Sequence, residues 1–213
     1  MKKFITLTYV PNSYCNYGCT YCYLGKLTDN IDKYHDVVSN LKKALELMEQ
    51  DNVIVTKFLL HGAEPSMLPQ KVLAKLFEFI TEYIKAHHFD YFEANITIRN
   101  PIHIKTNLGN FDKLYDLFVK YKVSISGSFD LPFSLHAKYR VDKQGQSTLE
   151  KTLANIKLLK DYPHGKGLSC VIGKEHLRMF DEFTKDLKYM HEVIGFDMVK
   201  NFYVMFAYDS NAA

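Results

Sequence analysis

Three cysteines near the start of the chain are the residues best suited to chemistry. Cys15, Cys19 and Cys22 fall within eight residues. This clustering indicates a metal site, because a disulfide framework normally spreads its cysteines along a short secreted chain. Thiolates suit iron–sulfur clusters or zinc, and a cluster of four irons usually takes four cysteines. Three cysteines would leave one iron without a protein ligand, as a cluster requires if it is to bind and reduce a substrate.

Two other interpretations of the three cysteines stay open. The same thiolates could hold a zinc ion, with Cys170 or a histidine as the fourth ligand. The thiols could also carry no ligand at all. Cys170 lies in a predicted strand, where we expect a small buried hydrophobic side chain. Gly18, between the cysteines, relieves crowding where the loop must fold around a metal.

A second candidate segment follows the second predicted strand and reads His61-Gly62-Ala63-Glu64-Pro65. Small residues let the main chain approach a ligand closely. If Ala63 required a positive φ, alanine would cost roughly 1–2 kcal/mol there. The alternative for the segment is an ordinary strand-to-helix turn. For His61 the alternatives are a substrate contact and a structural histidine.

A third candidate group comes after the fourth predicted strand and comprises Ser128, Asp130, His136 and Arg140. A guanidinium suits a carboxylate, and a hydroxyl can donate a hydrogen bond beside it. Arg140 and Ser128 are therefore residue types compatible with a carboxylate ligand. The alternative for Arg140 is an exposed salt bridge, and Asp130 and His136 could simply shape the loop.

These residues must be positioned by alternating strand-like and helix-like segments. The predicted strands are mostly short apolar runs, a pattern typical of strands covered on both faces. A further short strand is predicted around Ala94–Arg99. The six main predicted strands are Phe4–Val10, Val53–His61, His103–Asn107, Val123–Ser128, Gly167–Ile172 and Phe202–Ala207.

Five helices are predicted between these strands. They cover about Asp32–Gln50, a segment from Pro69, about Phe111–Tyr121, a segment opened by a capping-box pattern from Ser147 to Glu150, and about Glu175–Ile194 closed by Gly195. The alternation implies a parallel sheet with helices outside. An eight-unit barrel typically needs ~250 residues, so 213 residues fit six units better. The predicted fold is α/β, a partial (β/α)6 parallel barrel forming one domain over residues 1–213, with ligands at the carboxyl ends of the strands.

Composition excludes several classes of function. A net charge of +3 without a Lys/Arg run argues against nucleic-acid binding. No apolar stretch is long enough to span a bilayer, and Val53–Leu60, among the longest, is broken by Thr56 and Lys57. The N-terminus lacks the apolar core of a signal peptide. We therefore expect a cytoplasmic protein with no membrane partner.

The C-x-x-x-C-x-x-C spacing, with Tyr21 before the last cysteine, resembles the signature of the radical S-adenosylmethionine superfamily. The resemblance implies a 4Fe–4S cluster on the three cysteines and S-adenosylmethionine chelated to the open iron. It also implies reductive cleavage to a 5′-deoxyadenosyl radical that abstracts hydrogen from the substrate. Tyr21 would then lie against the adenine region.

Within this superfamily the chain resembles the sulfatase-maturing and peptide-maturing (SPASM-type) subgroup most closely. The resemblance implies that Ser128 and Arg140 hold the methionine carboxylate. It implies further that the backbone of Gly62, Ala63 and Glu64 receives the methionine amino group, and that His61 stands where a substrate-facing residue is often found. The chain departs from the superfamily's motifs at Ala63 and Leu108, and from the subgroup's pattern at Leu131 and Ala137.

The function implied by this resemblance is that of an oxidoreductase or maturase acting on a peptide or protein side chain, with a reductant such as flavodoxin or ferredoxin. Two alternatives remain: the same chemistry on a small molecule, and a zinc-stabilised binding module. Relatives in the subgroup continue into a cysteine-rich region with auxiliary clusters. We expect that region to be absent from this chain, which has only Cys170 beyond Cys22.

Overall fold

A computed structural model describes residues 2–29 and 36–207. One sheet of six parallel strands forms the centre of the fold, and its spatial order β1-β2-β3-β4-β5-β6 is the order of the chain. Each strand is hydrogen-bonded to the next, and the sheet curves into a half-barrel, which confirms the predicted partial (β/α)6 barrel. The strands are β1 Lys3–Tyr9, β2 Val53–Leu60, β3 Ile102–Thr106, β4 Ser124–Ser128, β5 Lys166–Ile172 and β6 Phe202–Phe206.

Helices connect consecutive strands and cover one face of the sheet. They are α1 Val37–Gln50, α2 Gln70–Ala86, α3 His88–Glu93, α4 Phe111–Lys120, α5 Phe133–Tyr139, α6 Leu149–Leu159, α7 Phe180–Tyr189 and α8 Met198–Asn201. Short 3-10 turns at Gly25–Asp29, Pro65–Met67 and Lys174–Arg178 and a π-helical turn at Met190–Ile194 complete the connections. Within the described residues, no helix is long and apolar enough to cross a membrane.

The main hydrophobic core lies between the helices and one face of the sheet. On β3, Ile102, Ile104 and Thr106 are buried, whereas His103 and Lys105 between them are only half-buried. This alternation corrects the expectation that the strands are covered on both faces: helices cover the convex face, and the concave face is more open. The concave face is therefore available to a ligand.

Several local predictions differ from the structure. Ala94–Arg99 is not a strand, because α3 runs to Glu93 and Asn95 then turns the chain with φ 54°. The predicted start of the first helix at Asp32 lies outside the described residues. At α6, Thr148 is the N-cap and makes no side-chain capping bond. The predicted capping box, which begins at Ser147, is therefore wrong: the Ser147 hydroxyl oxygen accepts from the Leu149 N–H (3.3 Å) rather than from the Glu150 N–H, and the Thr148 hydroxyl donates to the Arg140 carbonyl.

The fifth predicted helix, Glu175–Ile194, is divided into three pieces. A 3-10 turn, α7 and a π-helical turn follow one another along this segment. Gly195 closes the last turn with φ 80°, as predicted, because glycine adopts a left-handed conformation without steric cost.

Candidate functional site

The cysteine loop follows β1 directly and is held by backbone hydrogen bonds. The Gly18 N–H donates to the Val141 carbonyl (2.8 Å) and the Thr20 N–H to the Tyr139 carbonyl (3.0 Å). A Cβ at Gly18 would lie 3.1 Å from the Asp142 carbonyl oxygen, so glycine permits this close approach. The loop is thus docked against the segment that follows α5.

The three cysteines of this loop are free thiols and half-buried. Burial raises the pKa of the Cys15 thiol to about 12, with the nearby Glu64 carboxylate adding to the effect. Burial also raises the pKa of Cys19, although the charge of Arg140 opposes this. Thiols at this depth ionise readily only beside a cation, which is what a metal centre supplies.

Two N–H groups already donate to the sulfur of Cys15. The Tyr17 N–H lies 3.4 Å from Sγ, and Asn107 Nδ2 lies 3.7 Å from it. Asn107 Nδ2 is also 2.8 Å from Asn16 Oδ1, which ties the end of β3 to the cysteine loop. Donors of this kind stabilise a ligating thiolate and tune the metal that it holds. The residues present therefore fit an iron–sulfur cluster.

A single metal ion fits this arrangement less well. Among residues 2–29 and 36–207, no three His, Cys, Asp or Glu side chains lie close enough together to hold one ion. Cys170 is fully buried in β5, where the Leu131 N–H donates to its sulfur (3.4 Å). The structure thus gives no support to the zinc interpretation. Cys170 is the small buried side chain that its place in a strand predicts.

The turn after β2 brings its main chain close to the start of the cysteine loop. Gly62 has φ 104°, and a Cβ there would lie only 2.4 Å from Val10 Cγ1. Ala63 is not among the residues with positive φ. The positive φ that was considered for Ala63 is therefore found at Gly62 instead, and Ala63 carries no backbone strain.

Glu64 connects three segments at this end of the barrel. Its carboxylate accepts from the Ser66 N–H (3.1 Å) and the Asn107 N–H (2.6 Å). Its own N–H donates to the Tyr14 carbonyl, and its carbonyl accepts from Asn12 Nδ2. Burial raises the pKa of Glu64, although these hydrogen bonds oppose the shift. The side chain thereby holds the ends of β2 and β3 together beside the cysteines.

His61 is held by the turn it precedes. The Gly62 N–H donates to His61 Nδ1 at 2.6 Å, so this nitrogen is an acceptor and the proton of the neutral ring lies on Nε2. Burial, followed by the charge of Lys105, lowers the pKa of His61. The residue is half-buried and neutral at pH 7.

Asp130, for which the sequence left open a role in shaping the loop, is the centre of a buried polar network. Its carboxylate accepts from Arg140 Nε (2.8 Å) and Nη2 (3.3 Å), from the Val171 N–H (3.1 Å) and from the Tyr21 hydroxyl. Burial alone would raise the pKa of Asp130, but the charge and hydrogen bonds of Arg140 outweigh it and the pKa is lowered. This network fixes Tyr21 of the cysteine loop to the end of β4.

Arg140 is therefore not the exposed salt bridge considered as its alternative. It is 7% exposed, and its guanidinium carbon lies 5.4 Å from the centre of the Tyr21 ring. Ser128 ends β4 opposite Ser169 and is half-buried. In the described part of the chain, the Ser128 hydroxyl makes no hydrogen bond and is free to donate.

His136 supports the same corner from behind. Its Nδ1 accepts from the Asp130 N–H (3.3 Å), and its Nε2 faces the Thr148 hydroxyl (3.4 Å). The side chain is fully buried, and burial, followed by the charge of Arg140, lowers its pKa to about 3. The ends of β1 to β5 thus meet around the cysteine loop, as the parallel topology predicts.

One family of known proteins matches most of this chain. The family model described as the Radical SAM superfamily matches residues 9–187. An uncharacterised protein of Methanocaldococcus jannaschii, MJ0907, is 27% identical over 191 residues, which cover 87% of this chain and 59% of that protein.

Solved structures share the fold. The protein anSMEcpe with bound AdoMet superposes with a TM-score of 0.72 at 23% identity, over 97% of this chain and 50% of that one. The same protein with AdoMet and a peptide gives 0.72 at 22% identity, over 97% and 52%. A spore photoproduct lyase mutant with dinucleoside spore photoproduct gives 0.51 at 17% identity, over 91% and 53%. The chain spans about half the length of these proteins.

Proposed function

This chain belongs to the radical SAM superfamily, and we propose that it binds a 4Fe–4S cluster through Cys15, Cys19 and Cys22 and cleaves S-adenosylmethionine reductively. The observation that carries the proposal is the cysteine loop itself: three free thiols at the barrel mouth, with N–H donors already placed on one sulfur. Bound there, the cluster supplies the electron that breaks the sulfonium bond and generates the 5′-deoxyadenosyl radical.

The turn after β2 is proposed to receive the methionine amino group. Gly62 and Ala63 present main chain without bulky side chains, which lets a ligand approach closely. Glu64 acts from behind, since its carboxylate is engaged by Ser66 and Asn107 and keeps the turn fixed against β3. The role of Glu64 in this proposal is therefore to position the backbone.

Ser128 and Arg140 are proposed to hold the methionine carboxylate. The Ser128 hydroxyl can donate to it, and the guanidinium supplies a positive charge nearby. Asp130 occupies the Nε and Nη2 edge of Arg140, so the Nη1 side remains for the ligand. Tyr21, held by Asp130, is proposed to lie against the adenine.

We propose a peptide or protein side chain as the substrate, which makes the enzyme an oxidoreductase of the maturase type. Support comes from the shared fold with anSMEcpe, one structure of which holds both AdoMet and a peptide. His61, neutral and half-buried at the barrel mouth, is proposed as a substrate contact. A flavodoxin or ferredoxin is the proposed reductant, and the cytoplasm the proposed location.

Iron content after anaerobic reconstitution tests the cluster assignment. The wild-type chain is expected to bind about four irons. The triple variant Cys15→Ala, Cys19→Ala, Cys22→Ala is expected to bind almost none, because all three ligands are lost. The matched control is Cys170→Ala, which removes the buried thiol of β5 and is expected to keep full loading. A triple variant that loads as much iron as the wild type would overturn the assignment.

A further inference from the structure

The concave face of the sheet carries an unusual set of basic residues. Lys57 and His61 belong to β2 and the turn that follows it, and His103 and Lys105 belong to β3. Leu59 pairs with His103 and Leu60 with Ile104 in the parallel register. Lys105 therefore lies beside His61, and Lys57 lies diagonally from His103. We call these four residues the basic patch.

The positive charge of the patch resides on its two lysines. Burial, followed by the charges of Lys57 and Lys105, lowers the pKa of His103 to about 4. Burial and the charge of Lys105 lower the pKa of His61. Both histidines are therefore neutral at pH 7, which leaves the two lysines as the charged groups of the patch.

No carboxylate on the sheet neutralises this patch. The six strands contain no Asp or Glu. Within residues 2–29 and 36–207, neither Lys57 nor Lys105 has an acidic group within 4.0 Å. Glu64 is close in sequence, but its carboxylate is engaged by Ser66 and Asn107. Lys57 is exposed and Lys105 is half-buried, and a half-buried lysine such as Lys105 without a counter-ion favours an anionic ligand.

Hydroxyl groups extend the patch across the concave face. Lys105 pairs with Ser126 of β4, and Ser128 stands two residues further along the same strand. A hydroxyl can donate to an anionic oxygen, so Ser126 suits the same ligand as Lys105, whereas Ser128 is the residue proposed for the methionine carboxylate. The open face of β2 to β4 is thus built from cationic and hydrogen-bonding side chains.

We propose that this concave face binds an oxyanion of the substrate, a carboxylate or a phosphate, through Lys105 and Lys57 with Ser126 beside them. This inference rests on the proposed function, because it places the anion in the barrel beneath the cysteine loop. Lys105 lies two residues before Asn107, or about 7 Å away along the strand, and Asn107 contacts Cys15. The substrate is thereby held by its charged group with the rest of the molecule directed towards the barrel mouth.

Equilibrium dialysis tests the inference with radiolabelled inorganic phosphate and, separately, succinate. The protein is the anaerobic, cluster-reconstituted chain at low ionic strength, with saturating S-adenosylmethionine present. The wild type is expected to bind one anion per chain. Lys105→Gln and Lys57→Gln should each weaken binding about tenfold, since each removes one charge-assisted contact. Lys105→Arg should retain binding because it keeps the charge.

The matched control is Lys75→Gln, which removes an exposed lysine from the outer side of α2 and should bind as the wild type does. Tighter binding of phosphate than of succinate assigns a phosphorylated substrate, and the reverse order assigns a carboxylate. Equal binding by all variants, no binding by the wild type, or anion binding that S-adenosylmethionine displaces would each overturn the inference. Iron content of the same samples reports separately on the proposed function.

Discussion

At the scale of single residues, Gly62 is the position where the backbone itself decides the structure. Its φ is 104°, a conformation that strains any residue with a side chain. A Cβ at this position would also lie only 2.4 Å from Val10 Cγ1. Gly62→Ala is expected to lower the free energy of unfolding by about 2–4 kcal/mol, from backbone strain and overpacking together. Urea unfolding of the metal-free protein measures this loss.

Ala63→Gly is the matched control for that change. Because Ala63 has no positive φ, a glycine there relieves no strain and adds only flexibility. We expect it to lower the free energy of unfolding by at most about 1 kcal/mol. If Ala63→Gly instead stabilised the protein, or if Gly62→Ala were harmless, the strained position would have been assigned to the wrong residue.

The residues of the site differ in how far the sequence could predict them. The cysteines and the Gly62 turn are visible because their members are adjacent in the chain. The role of Asp130 is not visible, because its partners Tyr21 and Arg140 are 109 and 10 residues away. Nothing in the local sequence distinguishes a loop aspartate from one that neutralises a buried arginine. Substituting Arg140 would leave the buried Asp130 carboxylate without its partner, so this change should destabilise the fold as well as weaken ligand binding.

At the scale of elements, α5 is joined to the end of β4 by a neutral buried histidine. His136 has its pKa lowered to about 3, against 6.5 for an ordinary histidine. Between pH 6.5 and pH 3, His136 therefore binds a proton in the unfolded chain but not in the folded chain. The stability contributed by His136 is complete above pH 6.5 and is lost progressively as the pH falls towards 3.

This shift predicts a steep loss of stability in mild acid. At pH 5 the loss due to His136 should reach about 2 kcal/mol relative to pH 7.5. His136→Gln cannot titrate, so its free energy of unfolding should fall by correspondingly less over the same range. The exposed His191→Gln serves as control and should follow the wild-type profile. Urea unfolding at a series of pH values is the measurement, and an unchanged slope in His136→Gln would contradict the prediction.

The loop after β3 explains one departure from the pattern of the family. Leu108 has φ 64°, in the left-handed region that favours glycine, yet it is fully buried. Its side chain packs over Gly127, where an added Cβ would lie 2.6 Å from Leu108 Cδ1. Burial of a leucine contributes more than the roughly 1–2 kcal/mol that this backbone costs. The leucine is tolerated because Gly127 makes room for it.

Prediction of the elements succeeded where the hydrophobic pattern was strong. All six main strands lie within one residue of their predicted bounds at either end. It failed at Ala94–Arg99, where the chain turns at Asn95, and at the capping box, where the Ser147 hydroxyl oxygen accepts from the Leu149 N–H instead of the Glu150 N–H. Both outcomes are decided by backbone geometry at the end of a helix, which the hydrophobic pattern of the sequence does not record.

At the scale of the whole molecule, the half-barrel places its hydrophobic core and its polar groups on opposite faces of the sheet. The convex face of the sheet and the helices form the core, while the concave face and the strand ends carry the polar groups. The sequence predicted the parallel barrel from its alternation of elements. It did not predict the open concave face, because short apolar runs such as Val53–Leu60 do not reveal which face a helix covers.

The measurement that tests the central claim most directly is the formation of 5′-deoxyadenosine. Anaerobic, iron-loaded protein is incubated with S-adenosylmethionine and dithionite, and the product is quantified by liquid chromatography. We predict that the wild type forms 5′-deoxyadenosine slowly even without substrate. The triple variant Cys15→Ala, Cys19→Ala, Cys22→Ala, and wild type without dithionite, should form none. A wild-type chain fully loaded with iron that yields no 5′-deoxyadenosine would contradict the account.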